Sequence, residues 1–272
     1  MASMATNDLK RVLLRASPHL FRALGTIKQR FERGERMRVG HRLNCIAHDF
    51  VEKHGRVVQS GPFEGMTYVS QAAGSALLPK LLGSYEAELH NTLAYIFKQQ
   101  YDSVVNVGCG EGYYAVGFAR CLPEARIYAF DIDAGSQELC VEMARVNNVS
   151  DRVVVGGRCD TEQLRALTRE RALVVMDCEG CELDLLQPSL VHRLDRCDLL
   201  VELHDFINPK ISRTILSRFA PTHDITVIDT AERDYAAYPA LCACSVEEQR
   251  LAVAEFRPTT IPMQWAFMTA KL

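Results

Sequence analysis

The residues with the clearest chemical potential follow a short apolar segment near the middle of the chain. Val104 to Val107 lead directly into Gly108, Gly110 and Gly112, which have G-x-G-x-G spacing, and a helix-like segment comes next. Such a turn lets a ligand lie against bare backbone at the carboxyl end of a strand. Glycine-rich turns also form for packing reasons, so this turn alone does not identify a ligand.

Acidic side chains follow the other predicted strands of the central region. They are Asp131, Asp160, Asp177 with Glu179, and the pair Glu202 and Asp205, which flank His204. Because the carboxyl ends of parallel strands meet at one edge of a sheet, these side chains should surround a common ligand. An acidic edge would repel a pyrophosphate and would favour a cationic nucleoside.

Two of these carboxylates have specific predicted roles. Asp131 is placed to accept both hydroxyls of a ribose, and Asp160 to accept from the exocyclic amine of an adenine. The alternatives are a charge at a helix N-terminus for Asp131 and a helix cap before Thr161 for Asp160. An NAD site would use the same ribose carboxylate, but its usual fingerprint is G-x-G-x-x-G, and here the third glycine comes one residue early.

The elements that must position these residues alternate between strand and helix. The predicted strands are 103–107, 126–130, 152–155, 172–176, 198–203, 224–228 and 263–269. The predicted helices are 77–100 with a break near Gly83, then 112–121, 135–146, 161–168, 182–190, 211–219 and 246–254. Near-continuous apolar strands are typical of a sheet covered on both faces. Right-handed crossovers then predict an α/β fold with a doubly wound, mostly parallel sheet and an antiparallel pair at its end.

We expect residues 1–76 to form a helical and hairpin extension and residues 77–272 to form the main domain. Through Arg56, basic residues outnumber acidic ones 12 to 5, although the whole chain has a net charge of −3. We interpret this as a solvated or self-docking arm that could mediate a homodimer, rather than as a nucleic-acid arm. In the main domain Ser84 is a predicted helix cap, followed by Glu86 and Glu88 in the first turn.

The ten cysteines do not show the pattern of a small secreted disulfide scaffold. The N-terminus has no signal-like apolar segment, and no run is long enough to cross a membrane. The sequence therefore predicts a reduced, cytoplasmic protein with free thiols and no membrane partner. Cys178 and Cys181 have redox or zinc spacing and could bind zinc with Cys242 and Cys244, but buried thiols are the favoured interpretation.

Four segments share motifs with a known family. They are NVGCGEG at 106–112, AFDID at 129–133, MDCEGCELDLL at 176–186 and LVELHDF at 200–206. Together they resemble the FkbM family of class I S-adenosylmethionine-dependent methyltransferases, over residues 77–203. The resemblance implies a seven-stranded sheet of order 3-2-1-4-5-7-6 and S-adenosylmethionine as cofactor. It also implies cofactor-binding roles for Gly108, Gly110, Asp131, Asp160 and Asp177.

One residue of the glycine turn departs from the pattern of that superfamily. Asn106 stands where related proteins carry an acid that helps to hold the methionine amine. The segment from Gly83 to Glu86 precedes the first strand, where related enzymes often cover the methionine end of the cofactor. Glu86 is therefore predicted to supply the charge that Asn106 lacks.

Methyl transfer to a hydroxyl needs in-line positioning, which can supply about 7–11 kcal/mol, and removal of the hydroxyl proton. The candidate bases are His204, Asp177 and Asp205, and a purely structural His204 is equally well supported. With Glu179 and Glu202, the same strand ends also offer ligands for a divalent metal. Carboxylates that pair with helix N-termini or with the cofactor are the favoured interpretation, and a divalent metal remains the alternative.

The predicted activity is O-methylation of a small-molecule hydroxyl, and the resemblance points to a sugar or natural-product acceptor. Methylation of an amine or of RNA is the second hypothesis, although a nucleic-acid partner is not expected. A cofactor-binding protein without catalysis is the third hypothesis. An NAD-dependent reductase is the fourth.

Overall fold

The computed structural model describes residues 39–169, 171–255 and 263–271. The chain forms two units, Met1–Glu52 and Lys53–Leu272. Residues 39–54 are helical and form α1, while the earlier helices predicted for the extension fall outside the described residues. Residues 53–76, which we assigned to the extension, belong to the same unit as the sheet. Within them Val57 and Thr67 form an antiparallel bridge, in the part of the chain where a hairpin was predicted.

Seven strands form one sheet in the second unit. They are β1 Ser103–Val107, β2 Arg126–Phe130, β3 Val153–Gly156, β4 Ala172–Met176, β5 Asp198–Leu203, β6 His223–Asp229 and β7 Gln264–Ala270. Their order is β3-β2-β1-β4-β5-β7-β6. Strands β1 to β5 run parallel, and β7 is antiparallel to β5 and β6. The predicted fold class, strand order and antiparallel edge pair are therefore confirmed.

The register of the central strands brings their carboxyl ends level. Val107, the last residue of β1, pairs with Phe130 on β2 and with Met176 on β4. Both β1 and β4 are buried along their whole length, as expected for central strands with covered faces. The residues that follow Val107, Phe130 and Met176 consequently emerge together at one edge of the sheet.

Eight helices follow α1 in the described part of the chain. They are α2 Leu77–Leu82, α3 His90–Ile96, α4 Tyr113–Cys121, α5 Ala134–Val146, α6 Thr161–Leu167, α7 Glu182–Leu185, α8 Ile211–Phe219 and α9 Val246–Ala252. The prediction for α7 was too long, because it extended the helix to residue 190. Gln187 precedes Pro188, and a residue before proline is disfavoured in the helical conformation. None of the helices among the described residues has the length and apolar character needed to span a bilayer.

The break predicted near Gly83 is present, but the prediction that Ser84 caps a helix is wrong. Gly83 ends α2 with φ of 81°. The Ser84 hydroxyl and backbone N–H both turn back to the Pro79 carbonyl, at 3.4 and 2.9 Å. Glu86, with φ of 47°, then precedes a 3-10 helix at Ala87–Leu89. Ser84 is therefore used by the preceding turn and not by the following helix.

The prediction of free thiols is wrong for one pair of cysteines. Cys178 and Cys181 form a disulfide, with their Cα atoms 5.6 Å apart. The turn between them contains Glu179 and Gly180, both at positive φ, and this brings the two ends of the four-residue segment together. The other eight cysteines are free.

Candidate active site

A cavity of about 840 Å³ lies beyond the carboxyl ends of the parallel strands. Its wall includes residues 107–111 after β1, residues 130–132 after β2, residues 157–161 after β3 and residues 177–179 after β4. Residues 73–75, which precede α2, complete part of the wall. The volume is in the range of about 300–1,000 Å³ that is usual for small-molecule sites.

Gly108 and Gly110 both line the cavity, but the structural reason for a glycine differs between the two positions. Gly108 has φ of 79°, and a Cβ atom there would lie 1.6 Å from the Asp177 carbonyl oxygen, so packing against the β4 loop excludes a side chain. Gly110 has φ of 52°, and the nearest atom to its hypothetical Cβ is the Ala73 carbonyl oxygen at 3.8 Å. A ligand can therefore lie against the bare backbone at Gly110. Gly108 instead lets the turn after β1 pack closely against the loop after β4.

Asp131 connects the glycine turn to the end of β2. Its Oδ2 accepts from Gly110 N at 2.8 Å, and its Oδ1 accepts from Asp133 N at 2.9 Å. A carboxylate offers about four acceptor positions, so each oxygen retains one for a ligand after these bonds. Ile132 is 84% exposed and lines the cavity beside this carboxylate. The pair offers an acceptor for two hydroxyls next to an apolar surface for a ring.

Asp160 lies at the end of the β3 loop and lines the cavity. Its Oδ1 accepts from Gln163 N at 2.8 Å, while Gln163 Oε1 accepts from Asp160 N at 3.0 Å. This reciprocal pair is a capping box at the N-terminus of α6. The helix-cap alternative for Asp160 is therefore confirmed, and Oδ2 is the oxygen that remains for an adenine amine.

A buried polar group that the sequence analysis did not identify forms another wall of the cavity. Glu111 accepts from Lys80 Nζ at 2.5 Å, from Ala73 N at 2.9 Å and from the Tyr68 hydroxyl. Lys80 Nζ also lies 4.8 Å from the centre of the Tyr85 ring. Burial opposes ionisation, but the Lys80 ammonium outweighs it and lowers the pKa of Glu111. The position of Glu111 between two glycines of the turn was the available signal.

Two residues predicted to bind the methionine end do not line the cavity. Asn106 is 1% exposed in β1, and within the described residues its amide atoms have no hydrogen-bond partner. Glu86 is equally buried, and its carboxylate accepts from the Tyr114 hydroxyl. Tyr114 does line the cavity, so Glu86 supports the wall from behind.

His204 is fully buried and surrounded by carboxylates. Its Nδ1 lies 2.6 Å from Glu182 Oε1, and its Nε2 lies 3.3 Å from Asp177 Oδ1 and 3.4 Å from Glu202 Oε2. Burial lowers the pKa of the imidazole, but the neighbouring carboxylates outweigh it and raise the pKa of His204 to about 12. A histidine that holds its proton in this way is a poor general base at neutral pH.

The other two predicted bases have contrasting positions. The Asp177 side chain is 28% exposed and lines the cavity. Its burial would raise the pKa, but the interaction with His204 dominates and lowers the pKa of Asp177. Asp205 does not line the cavity, and its Oδ1 accepts from Ser212 N of α8 at 2.8 Å. Of the three candidates, Asp177 is the one that can contact a ligand in the cavity.

The structure thus brings into the cavity wall five of the nine residues predicted to bind the cofactor or to act as the base. These five are Gly108, Gly110, Asp131, Asp160 and Asp177. Four others lie outside the wall, namely Glu86, Asn106, His204 and Asp205. The five residues of the wall form an acidic pocket that contains two glycines. Of the four outside it, Glu86, Asn106 and His204 are buried behind the wall.

No protein-family model matches the chain. Among curated proteins, a ribosomal protein L11 methyltransferase from Pelobacter propionicus is 32% identical over 99 residues. The match covers 36% of this chain and 30% of the relative, so the chain matches less than a third of that protein's length. The similarity to the FkbM family therefore stays a prediction.

Solved structures with similarity to the chain include three methyltransferases. The O-methyltransferase TomG from Streptomyces achromogenes, involved in tomaymycin synthesis and solved with SAM, is 16% identical and covers 74% of this chain and 83% of its own, with a TM-score of 0.47. A precorrin-6y C5,15-methyltransferase from Geobacter metallireducens is 12% identical, and the match covers 68% of this chain and 88% of that protein, with a TM-score of 0.45. An rRNA methylase from Streptococcus thermophilus is 13% identical, and the match covers 68% of this chain and 97% of that protein, with a TM-score of 0.45. At these identities and TM-scores, the activity of this chain has to be argued from its own residues.

Proposed function

We propose that this protein is an S-adenosylmethionine-dependent methyltransferase that acts on a hydroxyl of a small molecule. The observation that carries the proposal is the hydrogen bond between Gly110 N and Asp131 Oδ2. It joins bare backbone to a carboxylate with unused acceptor positions, at the ends of adjacent strands in a 3-2-1-4-5-7-6 sheet. A cofactor that carries a ribose and a positively charged sulfonium fits this combination.

The residues present fit such a cofactor in charge and in shape. Asp131 would accept the two ribose hydroxyls, Ile132 would pack against the adenine ring, and Asp160 would accept from the adenine amine. Lys80 is a cation in the cavity wall and would face the carboxylate of the amino-acid end. The space at Gly110 supports this placement, because the atom nearest to a hypothetical Cβ is 3.8 Å away.

The bound cofactor would supply an activated methyl group, and the chain would supply position and a proton acceptor. Asp177 is the proposed proton acceptor, because of the three candidate bases it is the one whose carboxylate is part of the cavity wall. His204 would act through Asp177 by fixing its orientation and holding its charge. Restricting an acceptor hydroxyl in line with the methyl group can supply about 7–11 kcal/mol of the barrier.

The charges of the cavity support a small-molecule acceptor over RNA. Asp131, Asp160 and Glu179 line the cavity at three strand ends. The phosphodiester backbone of an RNA that approaches this edge would meet like charge, while a neutral hydroxylated molecule would not. A sugar or natural-product hydroxyl therefore remains the favoured acceptor class.

Calorimetric titration of the full chain with S-adenosylmethionine tests the cofactor assignment. We expect one site per chain and a loss of affinity of about 10–100-fold in Asp131→Asn, because hydrogen bonds to a charged acceptor contribute about 1.5–3 kcal/mol. Asp133→Asn is the matched control, since asparagine preserves the cap of α5 and Asp133 does not line the cavity. Binding of NAD in place of S-adenosylmethionine would overturn the assignment.

The reaction is tested by release of the demethylated cofactor in the presence of hydroxylated small molecules, amines or RNA. We expect turnover with a member of the hydroxylated set. Turnover with RNA and with neither other set would contradict the small-molecule acceptor and identify RNA as the substrate. Tight cofactor binding without turnover across all three sets would instead identify a non-catalytic binding protein.

A further inference from the structure

Four carboxylates converge on one buried imidazole at the ends of β4 and β5. Asp177, Glu179 and Glu202 surround Nε2 of His204, at distances of 3.3, 3.8 and 3.4 Å. Glu182 lies on the opposite side of the ring, 2.6 Å from Nδ1. A protonated imidazole supplies one positive charge to this group, whereas a dication would supply two. Buried carboxylates need such compensation, because leaving one unpaired is costly.

The imidazole is oriented as a ligand. Within the part of the chain that the structure describes, His204 Nε2 is buried and has no hydrogen-bond partner of acceptable geometry. The ring is 0% exposed, and Nε2 faces the three carboxylates. In metal sites a ligating histidine usually gives its other N–H to a carboxylate, which fixes the ring and its tautomer. Glu182 has this relationship to His204 Nδ1.

The distances from His204 Nε2 to the carboxylate oxygens are also close to those between neighbouring ligand atoms of a metal, and the ligand atoms of Asp177, Glu179 and His204 all lie within 4.8 Å of one another. With bonds of about 2.0–2.2 Å, neighbouring ligand atoms of a tetrahedral or octahedral centre lie about 2.9–3.6 Å apart. Two of the three separations from His204 Nε2 fall in that range, and the longest belongs to Glu179. The Glu179 side chain is 71% exposed, so it can move by the few tenths of an ångström required.

We propose that Asp177, Glu179, Glu202 and His204 bind a divalent first-row transition ion with the properties of Mn²⁺. A set of three carboxylate oxygens and one imidazole nitrogen suits Mn²⁺ better than Mg²⁺, which prefers oxygen ligands and retains several waters. The three carboxylates line the cavity, so the ion lies at its wall. There it would bind an acceptor oxygen and lower the pKa of a hydroxyl, a role that rests on the proposed function, whereas the site itself does not.

Binding of Mn²⁺ to the full chain, measured by electron paramagnetic resonance and calorimetry, tests the site. All proteins carry His48→Ala, because His48, Asp49 and Glu52 form a second, exposed group that could bind the same ion. We expect one Mn²⁺ per chain and a loss of affinity of at least about 10-fold in His204→Gln, because loss of a ligand should cost at least as much as loss of a residue that orients one. Asp205→Asn is the matched control, since Asp205 follows the cluster in sequence but contacts α8.

His204 is buried, so its variant could also fail to fold. Glu179→Gln provides the second variant, because this exposed side chain can lose its charge without disturbing the core. A weaker Mn²⁺ complex in Glu179→Gln supports the site. Stoichiometric Mn²⁺ binding that is unchanged in Glu179→Gln and in folded His204→Gln overturns it, and so does absence of binding to the parent protein. S-adenosylmethionine binding in the same samples reports separately on the proposed function.

Discussion

Gly110 N donates to Asp131 Oδ2 at 2.8 Å, and this bond joins the turn after β1 to the acid after β2. The consequence is that the two strongest features of the sequence act as one unit. The carboxylate is oriented before any ligand arrives, and such preorganisation lowers the cost of binding. The residues of the turn should therefore differ in whether they support the fold or the ligand.

Alanine substitutions at Gly108 and Gly110 should separate these two roles. Gly108→Ala places a Cβ atom 1.6 Å from the Asp177 carbonyl oxygen, so we expect a large fall in melting temperature or loss of soluble protein. Gly110→Ala meets no atom closer than 3.8 Å, and we expect a stability cost of about 1–2 kcal/mol for the positive φ. Its main effect should be weaker S-adenosylmethionine binding. Thermal melts and calorimetry check both, and equal stability of the two variants would contradict the assignment.

Glu111 should make the protein sensitive to acid. Burial opposes its ionisation, but the Lys80 ammonium holds the folded-state pKa of Glu111 below the ordinary value of a glutamate. Ionised Glu111 therefore stabilises the fold above that ordinary value, and this contribution is lost as the pH falls through the folded pKa. Glu111→Gln leaves Lys80 without its buried partner, and we expect a cost of about 3–5 kcal/mol at neutral pH. Melting temperatures between pH 3 and pH 7 should show the variant and the parent converging at low pH. A constant difference across that range would exclude this role.

His204 should not titrate near neutrality in the metal-free protein. The surrounding carboxylates raise its pKa to about 12, so the ring should remain protonated from pH 6 to pH 9. Nuclear magnetic resonance of histidines labelled in the ring, with His204→Gln to identify the signal, measures this directly. His48 is exposed and provides an internal comparison in the same spectra. A midpoint for His204 below pH 8 would restore it as a candidate base.

Tyr101 should contribute to stability at a distance from the cavity. Its hydroxyl donates to Asp198 Oδ2 at 2.6 Å, while Asp198 Oδ1 accepts from Ala270 N at the end of β7. Tyr101→Phe removes one hydrogen bond to a charged group, and we expect a loss of about 1.5–3 kcal/mol in chemical denaturation. Cofactor affinity should not change. A change in affinity without loss of stability would mean that the effect reaches the cavity.

The sequence predicted the sheet well, because its central strands β1, β4 and β5 are short, mostly apolar runs between turn signals. It also predicted the acids at the ends of β2, β3 and β4, since the parallel register carries them to one edge. The interaction between Lys80 and Glu111 was missed, because 31 residues separate them and only the folded chain brings α2 next to the turn after β1. The pairing of His204 with Glu182 depends in the same way on how α7 packs, which local spacing does not encode.

The Cys178–Cys181 disulfide was also beyond prediction, since the same spacing serves zinc, redox chemistry or buried thiols. What decided it was the backbone of the intervening turn, where Glu179 and Gly180 both have positive φ. Sequence patterns indicate the residue types at such a turn but not its dihedral angles.

The same disulfide matters for handling the protein. Cys178, Glu179 and Cys181 all line the cavity, and the chain has eight other cysteines that invite the routine use of a thiol reductant. A reductant added to protect those thiols would also open the four-residue ring that holds Glu179 at the cavity wall. Samples prepared with and without reductant therefore differ in the covalent structure of the cavity wall, and ligand measurements should state which form was used.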